Sequence, residues 1–251
     1  MPGTVSPVTV PIADCSLCPF RGKTLLRGSC MPGDTCVSAE SGRQIDRFFR
    51  VNPAYAEQYL QDQFWERRAI AVRYAPQKAL AALIQDQDEV VRRAVAFRLQ
   101  PSQLHLLIHD RDREVRMTVA DRIGYDELEK LADDEDYIVR VTVAKRLPIG
   151  RLFRFIRDPD LEVRKVIAER LPEVSLGLMA DDNAPEIRRI VVERMDPDDA
   201  VSMLGDPDWV VRYIAAQRVD VNTLMALVDD PEPDVRTAVQ ERLNAHPKPD
   251  S

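Results

Sequence analysis

All four cysteines of this 251-residue sequence fall within a single stretch, Cys15-x2-Cys18-x11-Cys30-x5-Cys36. Thiolates are soft donors, and four at this density point to a metal centre rather than to scattered core thiols. Spacing alone leaves the metal open. Structural zinc favours two tight Cys-x2-Cys knuckles, whereas five residues separate the second pair here. Iron–sulfur clusters accept less regular spacing, and a proline after Cys-x2-Cys, here Pro19, is common near them. Disulfides or free thiols are the third alternative. Pro19, Gly22, Gly28, Pro32 and Gly33 give the stretch a loop composition able to wrap a compact inorganic centre.

What holds this loop is a repeat. An aspartate and an arginine six residues apart recur every 24 residues, at Asp62/Arg68, Asp86/Arg92, Asp110/Arg116, Asp134/Arg140, Asp158/Arg164, Asp182/Arg188, Asp206/Arg212 and Asp230/Arg236. Eight units without an insertion specify a stacked array in which each repeat buries its apolar face against its neighbours. After Asp86 and Asp88, the series Val91, Val95 and Leu99 marks one face of a helix, and the register returns at Val115, Val119 and Ile123. Carboxylates at that helix start can cap free N–H groups and complement the dipole. Alanines 96, 120, 144, 168 and 216 let neighbouring helices approach.

The helix needs about 11 or 12 residues, which leaves room for only two further turns. Leu104, Leu107 and Ile108 fit a short 3₁₀-like helix better than a strand. The Asp/Arg columns are expected to form a ladder of inter-repeat ion pairs and caps, exemplified by Asp86, Arg92, Asp110, Arg116, Asp134, Arg140, Asp158 and Arg164. A second arginine column, at 98, 122, 146, 170, 194, 218 and 242, sits where a cation can bond the last carbonyls of a helix.

The net charge of −7 is uneven: residues 1–50 hold six Lys/Arg against four acids, leaving about −9 on the remainder. That is a poor footprint for nucleic acid. Nine glycines, with neither a Walker-type sequence nor GxGxxG, argue against phosphate-cradling loops. No apolar run approaches a membrane span, and MPGTVSPVTVPIAD lacks the basic start and apolar stretch of a signal peptide. A cytoplasmic protein is expected, with no membrane association, no small-molecule substrate and no catalytic set.

The D-x-D-x-x-V-R-x-x-A-x-x-x-L pattern partly resembles HEAT-type repeats. Its 24-residue period and leucine-bearing short half, together with four cysteines ahead of the repeats, more closely resemble the leucine-rich repeat variant (LRV) proteins of nitrogen-fixing bacteria. That resemblance implies an all-α fold of alternating α- and 3₁₀-helices wound into a right-handed superhelical solenoid. It also implies one [4Fe–4S] cluster on Cys15, Cys18, Cys30 and Cys36. Irons all ligated by cysteine would leave no open site, which favours electron transfer, redox sensing or a structural role over Lewis-acid catalysis.

The expected organisation is a cysteine-rich segment over 1–37, a capping or degenerate repeat over 38–61, repeats over 62–243 and a disordered tail over 244–251 that includes His246. Ile45, Phe48 and Phe49 fall in the capping unit. His105 and His109 occupy variable columns and read as surface residues. One variable column at the helix start, Trp65, Tyr137, Leu161 and Trp209, offers candidate partner contacts. The expected activity is protein–protein interaction modulated by the cluster's redox state or integrity. Electron transfer to a redox partner is the alternative, and nucleic-acid binding through an arginine stripe the weaker one.

Overall fold

A computed structural model describes residues 10 and 12–245 of the chain. His246 and the rest of the expected tail beyond 245 lie outside the described residues, while Asn244 and Ala245 belong to the last helix. Among the described residues there is no strand, only an isolated bridge between Met31 and Thr35. The chain divides into two compact units, Met1–Glu127 and Leu128–Ser251.

In the first unit a π-helical turn, Arg21–Leu25, precedes α1 (Gly42–Val51), α2 (Trp65–Tyr74), α3 (Glu89–Arg98) and α4 (Arg113–Arg122). Three 3₁₀-helices, Pro53–Tyr59, Gln77–Leu83 and Pro101–Leu107, alternate with them. A one-turn α5 (Tyr125–Leu128) then runs into the 3₁₀ turn Glu129–Leu131. The second unit continues with α6 (Tyr137–Arg146), α7 (Leu161–Arg170), α8 (Pro185–Arg194), α9 (Trp209–Arg218) and α10 (Pro233–Ala245). Between them lie the 3₁₀-helices Ile149–Phe155, Glu173–Met179, Asp199–Met203 and Val221–Leu227.

The helices α2 to α4 and α6 to α9 each span 10 residues, shorter than the 11 or 12 expected. Each stops because the next residue leaves helical space: Leu147 and Leu171, which precede Pro148 and Pro172, have ψ values of 146° and 145°. The short element has its own logic. A 3₁₀-helix repeats every three residues, so side chains at i and i+3 share one face. Leu104/Leu107, Leu152/Phe155 and Leu224/Leu227 are such pairs, and every member is buried. Burying one such side chain is worth about 1.5–3 kcal/mol relative to leaving it exposed.

The charged columns are used inside the fold. The Nε and Nη2 of Arg92 both donate to the Asp110 carboxylate at 2.8 Å, while its Nη1 donates to the Asp86 carbonyl. The same arrangement joins Arg68 to Asp86, Arg140 to Asp158, Arg164 to Asp182, Arg188 to Asp206 and Arg212 to Asp230. Each of these arginines therefore grips the carboxylate 18 residues ahead. The aspartate six residues behind supplies only its main-chain oxygen. The repeated aspartate also accepts the N–H two residues on, as Asp110 does from Asp112. The N-cap itself is that second aspartate: Asp112 accepts from Glu114 and Val115. The other arginine column reaches back to the preceding helix. Arg98 bonds the carbonyls of Val72 and Ala75, Arg194 that of Leu171, and Arg242 that of Val219.

Helix α1, in the stretch expected to cap the repeats, differs from them in side-chain size. Phe48 stands in the alanine column of Ala96, and with Ile45 and Phe49 it is completely buried. A large ring occupies the place where five of the repeats keep a methyl group.

Candidate metal centre

The four cysteines come from three successive turns. Cys15 and Cys18 bracket the first, closed by a hydrogen bond from the Cys18 N–H to the Cys15 carbonyl. The π-helical turn follows, and Gly28 then takes a φ of 70° that turns the chain back toward Cys30. A third turn, with Gly33 at a φ of 82° and paired bonds between Met31 and Thr35, delivers Cys36. Cys36 is tied to α1 by donation from its N–H to the Gln44 carbonyl at 3.1 Å. Asn52, at the end of α1, donates to the Ser29 carbonyl at 2.7 Å and so fixes the approach to Cys30.

No disulfide joins these residues. Cys30 and Cys36 are buried, and Cys15 and Cys18 are half-buried. Burial pushes the Cys30 thiol up, and negative charge on Cys36, Cys18 and Cys15 adds to the rise, opposed by a hydrogen bond with Thr24. The other three sulfurs thus lie within electrostatic reach of Cys30. Thiolates so gathered repel unless a cationic centre neutralises them, and the donor set fits a thiolate-ligated metal or cluster. Among the described residues no three Cys, His, Asp or Glu side chains converge as on a single metal ion.

A nest of aromatic rings, not anticipated from the sequence, seats the loop. Phe20, two residues after Cys18, packs at 4.6 Å from Tyr55 and 5.5 Å from Phe48. Tyr59 meets Phe49 edge-on at 5.4 Å. Its hydroxyl is pushed up to about 12, chiefly by burial, with the charges of Cys18 and Cys36 among the lesser causes. The available signal was Phe20 beside the Cys-x2-Cys pair and tyrosines at 55 and 59. It was missed because loop-to-helix packing has no sequence period. Ser38 completes the surroundings, donating to the Cys18 sulfur at 3.6 Å.

The remaining candidates are dispersed. Trp65, Tyr137, Leu161 and Trp209 are each the first residue of their α-helix. Trp65, Tyr137 and Trp209 are about 40% exposed, at 40%, 40% and 41%, and Leu161 is half-buried. Trp65 borders a groove of about 470 Å³ shared with Arg43, Arg73 and Val90. His105 and His109 are exposed; they border a groove of about 570 Å³ beside Asp86 and Asp110, and His105 bonds the Ser102 carbonyl.

Residues 11–58 match the family described as the FeS4 cluster of LRV proteins. A solved structure described as "a leucine-rich repeat variant with a novel repetitive protein structural motif" is 59% identical, with a TM-score of 0.88. The match covers 93% of this chain and 100% of that one. A Rhodobacter capsulatus protein, described as an uncharacterized 27.7 kDa protein in the nifB 3′ region, is 34% identical over 86 residues. Those residues are 34% of this chain and 35% of that protein, so the likeness spans about a third of that relative's length.

Proposed function

The chain belongs to the leucine-rich repeat variant family, and from that premise we propose that it is a non-enzymatic interaction scaffold whose protein contacts depend on a [4Fe–4S] cluster. Cys15, Cys18, Cys30 and Cys36 would hold the cluster, which when bound supplies a one-electron redox centre sensitive to oxygen. The chain's own residues do the rest. Phe20, Tyr55 and Tyr59 exclude water from the inner side of the loop, where Cys30 and Cys36 are buried. Asn52 and the Gln44 carbonyl tie that loop to α1. Loss of the cluster would leave thiols that repel when ionised and release the turns that present Phe20 to Phe48.

The observation that carries this reading is the joining of unpaired thiols to the first helix through one aromatic nest. Partner contacts along the repeats are assigned to the partly exposed helix-start residues, Trp65 in the first unit and Tyr137, Leu161 and Trp209 in the second. The ladder arginines are committed to aspartates, which speaks against a nucleic-acid stripe. The half-exposure of Cys15 and Cys18 favours a second reading, electron transfer to a redox partner.

Iron and acid-labile sulfide analysis of anaerobically purified protein, with an EPR spectrum after reduction, tests the proposal. A four-iron, four-sulfide stoichiometry is expected; stoichiometric zinc without labile sulfide would sink it.

A further inference from the structure

Around its cysteines the chain exposes side chains that its own fold does not use. Leu17 is 90% exposed, Leu26 81% and Met31 59%. Arg21, Lys23 and Arg27, in the same stretch of chain, are exposed too and form no ion pair among the described residues. Of the acids in the segment, Asp34 is held by Arg47, while Asp14, bonded to Ser16, keeps its charge and interacts with Arg21 without forming an ion pair. Elsewhere six ladder arginines grip aspartates and stand at most 14% exposed. Leu17 lies between Cys15 and Cys18, and Met31 directly follows Cys30. Since consecutive Cα atoms are about 3.8 Å apart, anything that covers these two residues comes within about 10 Å of the sulfur ligands' backbone.

We infer that this face docks a small acidic electron-carrier protein, one whose redox group lies under an apolar patch ringed by carboxylates. The inference rests on the iron–sulfur reading and gives its partner a chemistry. Aliphatic tips interspersed with unpaired cations match such a patch in both polarity and charge, and the cations would steer the encounter. A loop this small suits the weak, rapidly exchanging class of interface. A symmetric contact with a second copy would set the same three cations against one another. An anionic bilayer would attract the same cations, and the vesicle arm of the test below distinguishes it.

The test uses the full chain with its cluster loaded anaerobically and an acidic plant-type [2Fe–2S] ferredoxin as probe. Binding is measured by calorimetry at about 20 and 200 mM salt. Affinity is expected to fall steeply with salt. Arg21→Gln, Lys23→Gln and Arg27→Gln should each lower it about two- to fivefold, and Leu17→Ser or Leu26→Ser about tenfold. Leu178→Ser, an exposed leucine of the second unit, should leave it unchanged. The inference is overturned if the loaded protein ignores the ferredoxin at low salt, or if binding is indifferent to all five loop substitutions. It is also overturned if vesicles with roughly 30% anionic lipid bind through these residues while the ferredoxin does not. Iron and sulfide are assayed on every preparation. Binding that survives without labile sulfide would count against the cluster reading and still support the docking face.

Discussion

The repeats and the cysteine segment spend their polar groups in opposite ways. In the repeats, Arg92 saturates its guanidinium on Asp110 and the Asp86 carbonyl, and Asp112 spends its carboxylate on the start of α4. Around the cysteines, Arg21, Lys23 and Arg27 face solvent and the thiols form no disulfide. A periodic element can offer every polar group a partner at a fixed offset, because the neighbouring unit presents the same groups. A loop that occurs once has no such neighbour. What it leaves unsatisfied is therefore available to a cofactor or a partner, and chemistry is to be sought there.

This contrast can be broken first at the ladder. Arg92→Ala leaves the Asp110 carboxylate, 5% exposed, without its ion-pair partner and should cost about 3–5 kcal/mol in denaturant unfolding. Replacing both residues with leucine should recover most of that. If the single and double changes cost the same, the ladder does not work as pairs. A smaller effect is expected in acid. The Arg212 guanidinium holds the Asp230 carboxyl below the usual carboxylate range, and Arg189 does the same for Asp208. Groups depressed in the folded state contribute stability that is fully present above the unfolded value, about 3.9, and is lost as pH falls through the folded one. Asp230→Asn should flatten the acid limb of the stability profile; an unchanged limb would count against the pairing. The smallest effect belongs to the cap. Asp112→Ala should cost about 1 kcal/mol, and a comparable loss from Asp133→Ala, an exposed acid of the second unit, would remove the distinction between caps and ordinary surface acids.

Much of the scaffold was legible. The 24-residue period is too short for two full helices, and the three-residue spacing of Leu104 and Leu107 marked the second element as 3₁₀. The direction of the ion pairs was not legible. Asp86 lies six residues from Arg92 and 18 from Arg68, and a period of 24 contains both offsets equally. The same ambiguity hid which carbonyls Arg98 would bond, those of its own helix or those of α2. At the candidate centre, the cysteines were visible by type and density, while Phe20, Tyr55, Tyr59 and Asn52 carried no pattern connecting them to sulfur.

The sequence by itself determined the alternation of elements, their apolar faces and the single stretch that holds all four cysteines, because periodicity and residue type are local properties. Tertiary structure alone decided that arginines reach forward to the next aspartate and backward to the previous helix. It also decided that an aromatic nest joins the cysteine loop to α1. These contacts span 18 to 39 residues of chain, and only stacking and close packing select among the partners that spacing permits.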